Sequence, residues 1–292
     1  MASPTVAVFQ IPNEVIEHAL TYLHPLDVAR FSQTCRLACT FVYGAADQYL
    51  WRQLFLASFD DPREAFDSRD ANPEYNWKGE LQRRAQAELI AFNIKQRLDE
   101  QTFALETFIS MIWDALPVPV LEHKPSNSLE WVTRVLHDSR ILDAPVMWPE
   151  AKDNQLISRI QTYLALTLNE VTDDKSKAHL DALRIRSRCR VYDLRNYRRE
   201  TDYGPYLKGG AVNWAHAQAI VNVIQMNLRE ICFWMDTRPP VGLEATRAYS
   251  VTGAANRAPM DWACVEGTWR RFVCFMDYRC VLPALHSVFL CL

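Results

Sequence analysis

Cysteine and histidine, the residues that most often hold metals or act as nucleophile and base, are present but widely spaced. The eight cysteines form no CxxC pair, and only Cys35 and Cys39 lie one helical turn apart. The seven histidines never stand four residues apart, so no helix is predicted to present two of them to zinc. Phosphate-loop, dinucleotide-binding, HExxH and GxSxG motifs do not occur. The sequence therefore predicts no catalytic residue, no metal site and no cofactor, with a Cys–His pair assembled from distant segments as the alternative.

Arginine is concentrated in one segment, and its guanidinium group binds carboxylates and phosphates. The arginines of this segment are Arg184, Arg186, Arg188, Arg190, Arg195, Arg198 and Arg199. Positions 184, 188, 195 and 199 are predicted to share one face of a helix. Asp181 and Asp193 are interleaved with them, which favours a solvated face with ion pairs. A face that holds a phosphorylated or acidic partner is the alternative, and nucleic acid is favoured less.

The chain as a whole offers little attraction to polyanions or membranes. Its 292 residues include 32 basic and 35 acidic side chains, for a net charge of −3. No apolar stretch reaches the ~18 residues needed to cross a bilayer, and the first residues lack the pattern of a secretion signal. We therefore expect an intracellular protein of the cytoplasm, the nucleus or both, with neither nucleic acid nor membrane as a partner.

Short amphipathic helices are predicted near the N-terminus. The apolar positions of the first are Val15, Ile16, Ala19, Leu20 and Leu23, at helical spacing. Pro25 ends this helix and starts a second one, and a third continues from Cys35 through Phe41. Helices this short bury little surface alone, so a partner or the rest of the chain must complete their apolar faces.

A larger helical body is predicted after a polar linker that ends near residue 76. Helical spacing covers residues 77–115, with a break near Glu100, then a segment from Ser128, then Leu156 to Leu168, then 212–234. The predicted core positions of the first and last of these segments are Leu81, Ala85, Leu89, Phe92, Phe108, Ile109, Ile112, Ala217, Ile220, Val221, Ile224, Leu228 and Ile231. The acidic pairs Asp60-Asp61 and Asp173-Asp174 are predicted to cap helices.

The C-terminal part has a different composition. Glycine and proline are frequent after residue 238, and the segment from Glu266 to Arg279 is rich in aromatic and β-branched residues, which predicts one or two strands. Residues 280–292 are almost wholly apolar, as expected either of a terminal element docked on the core or of a truncated or altered C-terminus.

The segment from Ile11 to Leu54 resembles an F-box. The matching residues are Ile11-Pro12-x-Glu14, Leu23 before Pro25-Leu26-Asp27-Val28, Ser32, Cys35-Arg36 and Leu50-Trp51-Arg52-x-Leu54. Ala38 stands where the family often has tryptophan, and the step from Cys35 to Leu50 is a few residues longer than usual. Motifs between Arg195 and Arg279 also resemble a large group of fungal F-box proteins whose substrates are mostly unassigned.

The resemblance implies a mainly α fold, in which a three-helix F-box module at 9–58 and a linker at 59–76 precede a helical body at 77–292 with a small C-terminal β element. It further implies a non-catalytic substrate-receptor subunit of an SCF-type cullin–RING E3 ubiquitin ligase, which binds a Skp-family adaptor and an unknown target protein. The adaptor-binding residues carried over from the family are Ile11, Pro12, Ile16, Leu20, Leu23, Leu26 and Val28. The alternative is a ligase-independent interaction scaffold, or a truncated and non-functional F-box relative.

Overall fold

The described part of the chain is helical. The computed structural model describes residues 11–44, 47–65, 75–115, 126–143, 152–169 and 171–230. The helices are α1 (Asn13–Thr21), α2 (Pro25–Ser32), α3 (Arg36–Tyr43), α4 (Tyr49–Leu56), α5 (Pro62–Ala65), α6 (Trp77–Phe92), α7 (Gln101–Asp114), α8 (Asn127–Ser139), α9 (Lys152–Leu164), α10 (Asp174–Tyr192) and α11 (Trp214–Glu230). These ranges contain no β-strand, and their one β-bridge joins Tyr206 to Val212. The mainly helical prediction is confirmed, while the predicted C-terminal β element lies outside the described residues.

Local sequence sets the beginnings of the first helices. Pro25 occupies the first turn of α2, where the N–H that proline lacks has no partner within the helix. The His24 ring accepts a hydrogen bond from the backbone N–H of Leu26, with a 3.3 Å separation. The Cys35 thiol accepts one from the backbone N–H of Ala38 at the start of α3, at 3.4 Å. The three short helices predicted at the N-terminus are therefore confirmed.

One hydrophobic core is shared by α1 to α4 and by α6 to α9. It extends from Ile16 in α1 to Leu164 in α9. Phe55 of α4 is fully buried in it, and its ring centre lies 5.2 Å from that of Phe59 and 5.3 Å from that of Trp77 in α6. Burial of such large rings contributes strongly to stability. The N-terminal helices thus pack against the helix that follows the predicted linker, and the domain limits given above stay a prediction.

The last described helices form a second layer on this core. Helix α9 packs on both α7 and α11, and α11 packs on α10. Helix α9 ends at Leu164 because Ala165 and Leu166 have φ values of 45° and 68°, in the left-handed region that does not continue an α-helix. The prediction that this helix reaches Leu168 is therefore wrong by one turn.

A buried carboxylate joins the end of the N-terminal helices to α8. Asp60 accepts a hydrogen bond from the backbone N–H of Asn127 at 2.9 Å and another from the Ser126 hydroxyl. Its own backbone N–H donates to the Ser128 hydroxyl at 3.1 Å. Asp60 is thus an N-terminal cap supplied from far along the chain, and its negative charge complements the helix dipole. The predicted capping role is confirmed, although the helix is not the one that follows Asp60.

Replacing Asp60 with alanine is expected to lower the free energy of unfolding by about 2–3 kcal/mol, since two hydrogen bonds to a charged acceptor are lost and their buried donors are left without it. Urea unfolding followed by circular dichroism measures this loss. The matched control is Asp173→Ala, which removes the exposed cap of α10, where Ser176 N–H donates to the Asp173 carboxylate at 2.7 Å. Equal losses in the two variants would contradict a special role for the buried contact.

Candidate functional site

The seven predicted adaptor-binding residues divide into an exposed group and a buried group. Ile11, Pro12, Leu23 and Leu26 are exposed, with 58% of Leu26 accessible to solvent. The buried group comprises Ile16, Leu20 and Val28. Only the exposed residues are able to contact another protein without a change of fold. The buried three lie in the protein's own core and hold the helices that carry the others.

The two ends of α1 carry the exposed group. Pro12 caps the beginning of α1, while Leu23 follows its last turn and Leu26 lies in the first turn of α2. At 1.5 Å per residue, the ends of this helix are separated by about 15 Å. The exposed residues therefore lie at two places, on either end of one helix.

Further apolar residues on α1 bridge these two places. Val15 is 54% exposed and Tyr22 is 77% exposed, and together with Ala19 they lie three or four residues apart on one side of the helix. We call Ile11, Pro12, Val15, Tyr22, Leu23 and Leu26 the N-terminal apolar surface. Val15 and Tyr22 were absent from the predicted set. The sequence does contain a signal for these two residues, since the apolar stripe of α1 is wider than the ~100° that one buried helix face requires.

Charged residues flank this surface. Partial burial raises the pKa of the Glu17 carboxyl on α1, and the negative charges of Asp47 and Glu14 raise it further. On α2, Arg30 pairs with Asp27 across an exposed 2.9 Å contact. Exposed pairs of this kind add little stability. The surroundings of the apolar surface thus supply a polar rim of the kind found around protein–protein contacts.

His216 is the buried histidine of the described part of the chain, and its neighbours are those of a structural residue. The ring of His216 is buried and lies 3.3 Å from the Tyr197 hydroxyl. Burial lowers the pKa of His216, and the positive charge of Arg190 lowers it further, which favours the neutral ring. Within the described ranges, no group of three histidine, cysteine or acidic side chains is arranged to hold a metal ion. The helices of the same ranges all lack the length and apolar character needed to span a membrane.

The arginine-rich segment does not form one continuous helical face. Helix α10 ends at Tyr192, so Arg195 and Arg199 lie beyond it, and the prediction of a face shared by positions 184, 188, 195 and 199 is wrong. Arg195 instead pairs with Asp193 at 2.7 Å, and its hydrogen bonds lower the pKa of Asp193 to about 2. This exposed pair agrees with the predicted ion pairing. Arg186 and Arg190, on another side of α10, line a cleft that is described below.

Comparison with known proteins identifies the N-terminal segment. Residues 8–57 match the family model described as F-box-like. This range contains α1 to α4 and every residue of the N-terminal apolar surface. Neither the curated proteins nor the solved structures that were compared with the chain gave a match.

Proposed function

We propose that this chain, an F-box protein by its F-box-like domain at residues 8–57, is a substrate-receptor subunit of an SCF-type cullin–RING ubiquitin ligase. A domain of this kind indicates binding to a Skp-family adaptor and, through it, to the ligase. Proteins that carry it are generally non-catalytic subunits. The family match over 8–57 is the observation that carries the proposal.

The N-terminal apolar surface supports adaptor binding. Exposed aliphatic and aromatic residues beside a rigid proline suit a helix-in-groove interface, in which a few anchors supply most of the binding energy. Leu23 and Leu26 stand on either side of the His24-Pro25 corner, where the backbone is fixed by proline and by the cap. Little conformational entropy is lost when such a corner is bound, which favours affinity.

The mechanism we propose is positional. The F-box-like domain holds the chain on the ligase, and the body holds a target protein near the conjugating enzyme. Proximity raises the effective concentration of the target's lysines at the reacting thioester, so the chain accelerates ubiquitin transfer without a catalytic residue of its own. This role places the protein inside the cell, in the cytoplasm, the nucleus or both.

Exchanging Leu23 and Leu26 for aspartate is expected to abolish binding to the Skp-family adaptor, because two charges would have to be buried against an apolar partner. The test is co-expression of the chain with the adaptor of its own organism, followed by size-exclusion chromatography. The wild type is expected to co-elute with the adaptor in a stoichiometric complex, and the double variant to elute alone. The melting temperature should stay close to that of the wild type, since both leucines are exposed.

The matched control is Leu194→Asp, which changes a leucine that is 82% exposed in the body, outside the F-box-like domain. This variant should co-elute like the wild type. If the folded wild type fails to bind the adaptor, the ligase-receptor proposal falls and the interaction scaffold takes its place. Binding that survives the double substitution would place the adaptor contact elsewhere on the chain.

A further inference from the structure

A cleft lies where the end of α8 meets helices α9, α10 and α11. Its volume is about 600 Å³, within the range of pockets that enclose a small ligand or a few residues of a peptide. Leucines such as Leu142, Leu164 and Leu183 supply apolar walls. Ala215 and Ala219 of α11 face the same space, and their short side chains leave room in it.

One face of α10 supplies cations to this cleft. His179, Leu183, Arg186 and Arg190 recur every three or four residues and all line it. Arg140 lies on the wall contributed by α8, where its left-handed φ of 53° ends that helix. Three guanidinium groups from two different helices therefore border one concave space.

The arginines of the cleft are not neutralised by neighbours in the described part of the chain. No ion pair or side-chain hydrogen bond is formed there by Arg140, Arg186 or Arg190, and Asp143 is the only acidic residue among the described lining residues. Residues 171–230 carry 11 basic and 7 acidic side chains, whereas the whole chain is net negative. The positive charge is thus local to this layer of the fold.

The chemistry of the described lining indicates which kind of group suits the cleft. The arginines of this cleft have no ion-pair partner among the described residues, and its lining also holds neutral amide donors such as Asn169 and apolar walls, which suits an anion attached to a partly apolar chain. Nucleic acid fits less well, because the described lining has no phenylalanine, tyrosine or tryptophan, the large rings on which bases usually stack.

We propose that this cleft binds an anionic segment of another protein, with a phosphate or carboxylate group held by Arg186 and Arg190 and supported by Arg140. Both arginines lie on one face of α10 a single turn apart, so two forked donors reach one anion or two adjacent ones. The identification of the bound protein as the ligase target rests on the proposed function. The binding of an anion in the cleft is independent of the proposed function.

The test uses the full chain on an array of nine-residue peptides with randomised flanks and a central phosphoserine, glutamate or serine. Wild-type protein is expected to bind a subset of the phosphoserine peptides at least tenfold more strongly than their serine counterparts. Equal retention by the glutamate peptides would identify an acidic segment as the source of the anion, and weak retention would identify phosphate. The Arg186→Gln/Arg190→Gln variant should lose at least tenfold of this binding.

The matched control is Arg195→Gln/Arg199→Gln, which removes the same charge from exposed positions beyond α10 and should bind like the wild type. A failure of the phosphoserine and glutamate peptides to exceed serine, or retention by the double cleft variant, overturns the proposal. Tighter binding of a 20-nucleotide single strand, lost in the same variant, would overturn the assignment to a protein.

The peptide array and the adaptor experiment can fail independently. If the array fails while the adaptor co-elutes, only this inference falls. If the array succeeds without adaptor binding, the cleft stands and its link to a ligase target is lost.

Discussion

Replacement of Leu20 by aspartate is expected to unfold the N-terminal helices, whereas the same change at Leu23 should leave them folded. Leu20 is 4% exposed and belongs to the core that includes Leu50 and Leu54 of α4. Truncating a buried leucine alone costs about 2–5 kcal/mol, and an unpaired carboxylate in its place costs more. The loss is therefore comparable with the whole stability of a typical domain, about 5–15 kcal/mol. Leu23 is 43% exposed, and its substitution removes no core contact.

Thermal unfolding by circular dichroism and hydrogen exchange of the α1 amides separate these two variants. Leu20→Asp should expose the α1 amides to rapid exchange and abolish adaptor binding through loss of the fold. Leu23→Asp should keep native exchange and weaken adaptor binding directly. An intact α1 in the Leu20 variant would contradict its placement in the core. The pair also decides how any loss of adaptor binding is interpreted, since only the exposed position reports on the interface itself.

The N-terminal helices could be predicted from the sequence, but the division between core and interface could not. Ile16 and Leu20 lie on the same apolar stripe of α1 as Val15, Ala19 and Tyr22. Helical spacing identifies the stripe and says nothing about which half meets the protein's own core. That choice is made by α4, which packs on α1 and covers one half. Only the arrangement of the two helices in space reveals the half left for a partner.

For α6, the apolar spacing of the sequence predicted the wrong face of the helix as the buried one. Leu89 and Phe92, predicted as core positions, are both more than half exposed. The residues that α6 buries are Trp77, Leu81, Arg84, Ala87, Ile90 and Ala91. Arg84, a charged residue, is fully buried in the middle of this face. Apolar periodicity in the sequence therefore favoured the adjacent face of the helix, which carries Leu89 and Phe92. Charged residues are seldom fully buried without a partner, and the partner of Arg84 becomes visible only in the fold.

In α11, buried neutral polar residues likewise hide the buried face of the helix from the apolar pattern of the sequence. His216, Asn222 and Gln225 are buried on it, while Ile224, a predicted core position, is 40% exposed. The Asn222 amide donates a hydrogen bond to the Ser187 hydroxyl of α10 at 3.3 Å. Buried polar groups need such partners, and pairings between helices distant in sequence leave no local pattern. The sequence therefore indicates the arginine-rich segment, but it does not predict the cleft that this segment helps to form.

The buried charges of α6 lead to a prediction about acid stability. The Glu80 carboxylate accepts two hydrogen bonds from Arg83, at 2.9 and 2.7 Å, and one from Arg84 at 3.0 Å. The Arg84 guanidinium lies 4.4 Å from the ring centre of Phe55 and 4.5 Å from that of Phe59. Burial by itself would raise the pKa of Glu80, but the two guanidinium groups outweigh burial and lower that pKa. Glu80 is therefore the counter-ion that allows Arg84 to be buried.

Replacing Glu80 with glutamine is expected to lower the free energy of unfolding at pH 7 by about 3 kcal/mol, because the charge of Arg84 stays buried without its hydrogen-bonded counter-ion. A lowered pKa in the folded state means that the carboxylate stabilises the protein above the unfolded pKa of about 4.3. This contribution is lost as the pH falls through the lower folded value, so the difference between variant and wild type should shrink below about pH 4. Urea unfolding at a series of pH values measures the difference.

The control is Asp114→Asn, for which the expected change in the free energy of unfolding has the opposite sign. Burial raises the pKa of Asp114 and outweighs the lowering by the positive charge of Arg84, while the charge of Glu80 raises it further, so the ionised form of Asp114 costs stability at neutral pH. The asparagine variant is expected to be slightly more stable than the wild type at pH 7, and the gain should vanish in acid, where Asp114 is protonated in both states. Destabilisation of equal size in both variants would show that the amides disturb packing, and would contradict the assignment of Glu80 as the specific counter-ion of Arg84.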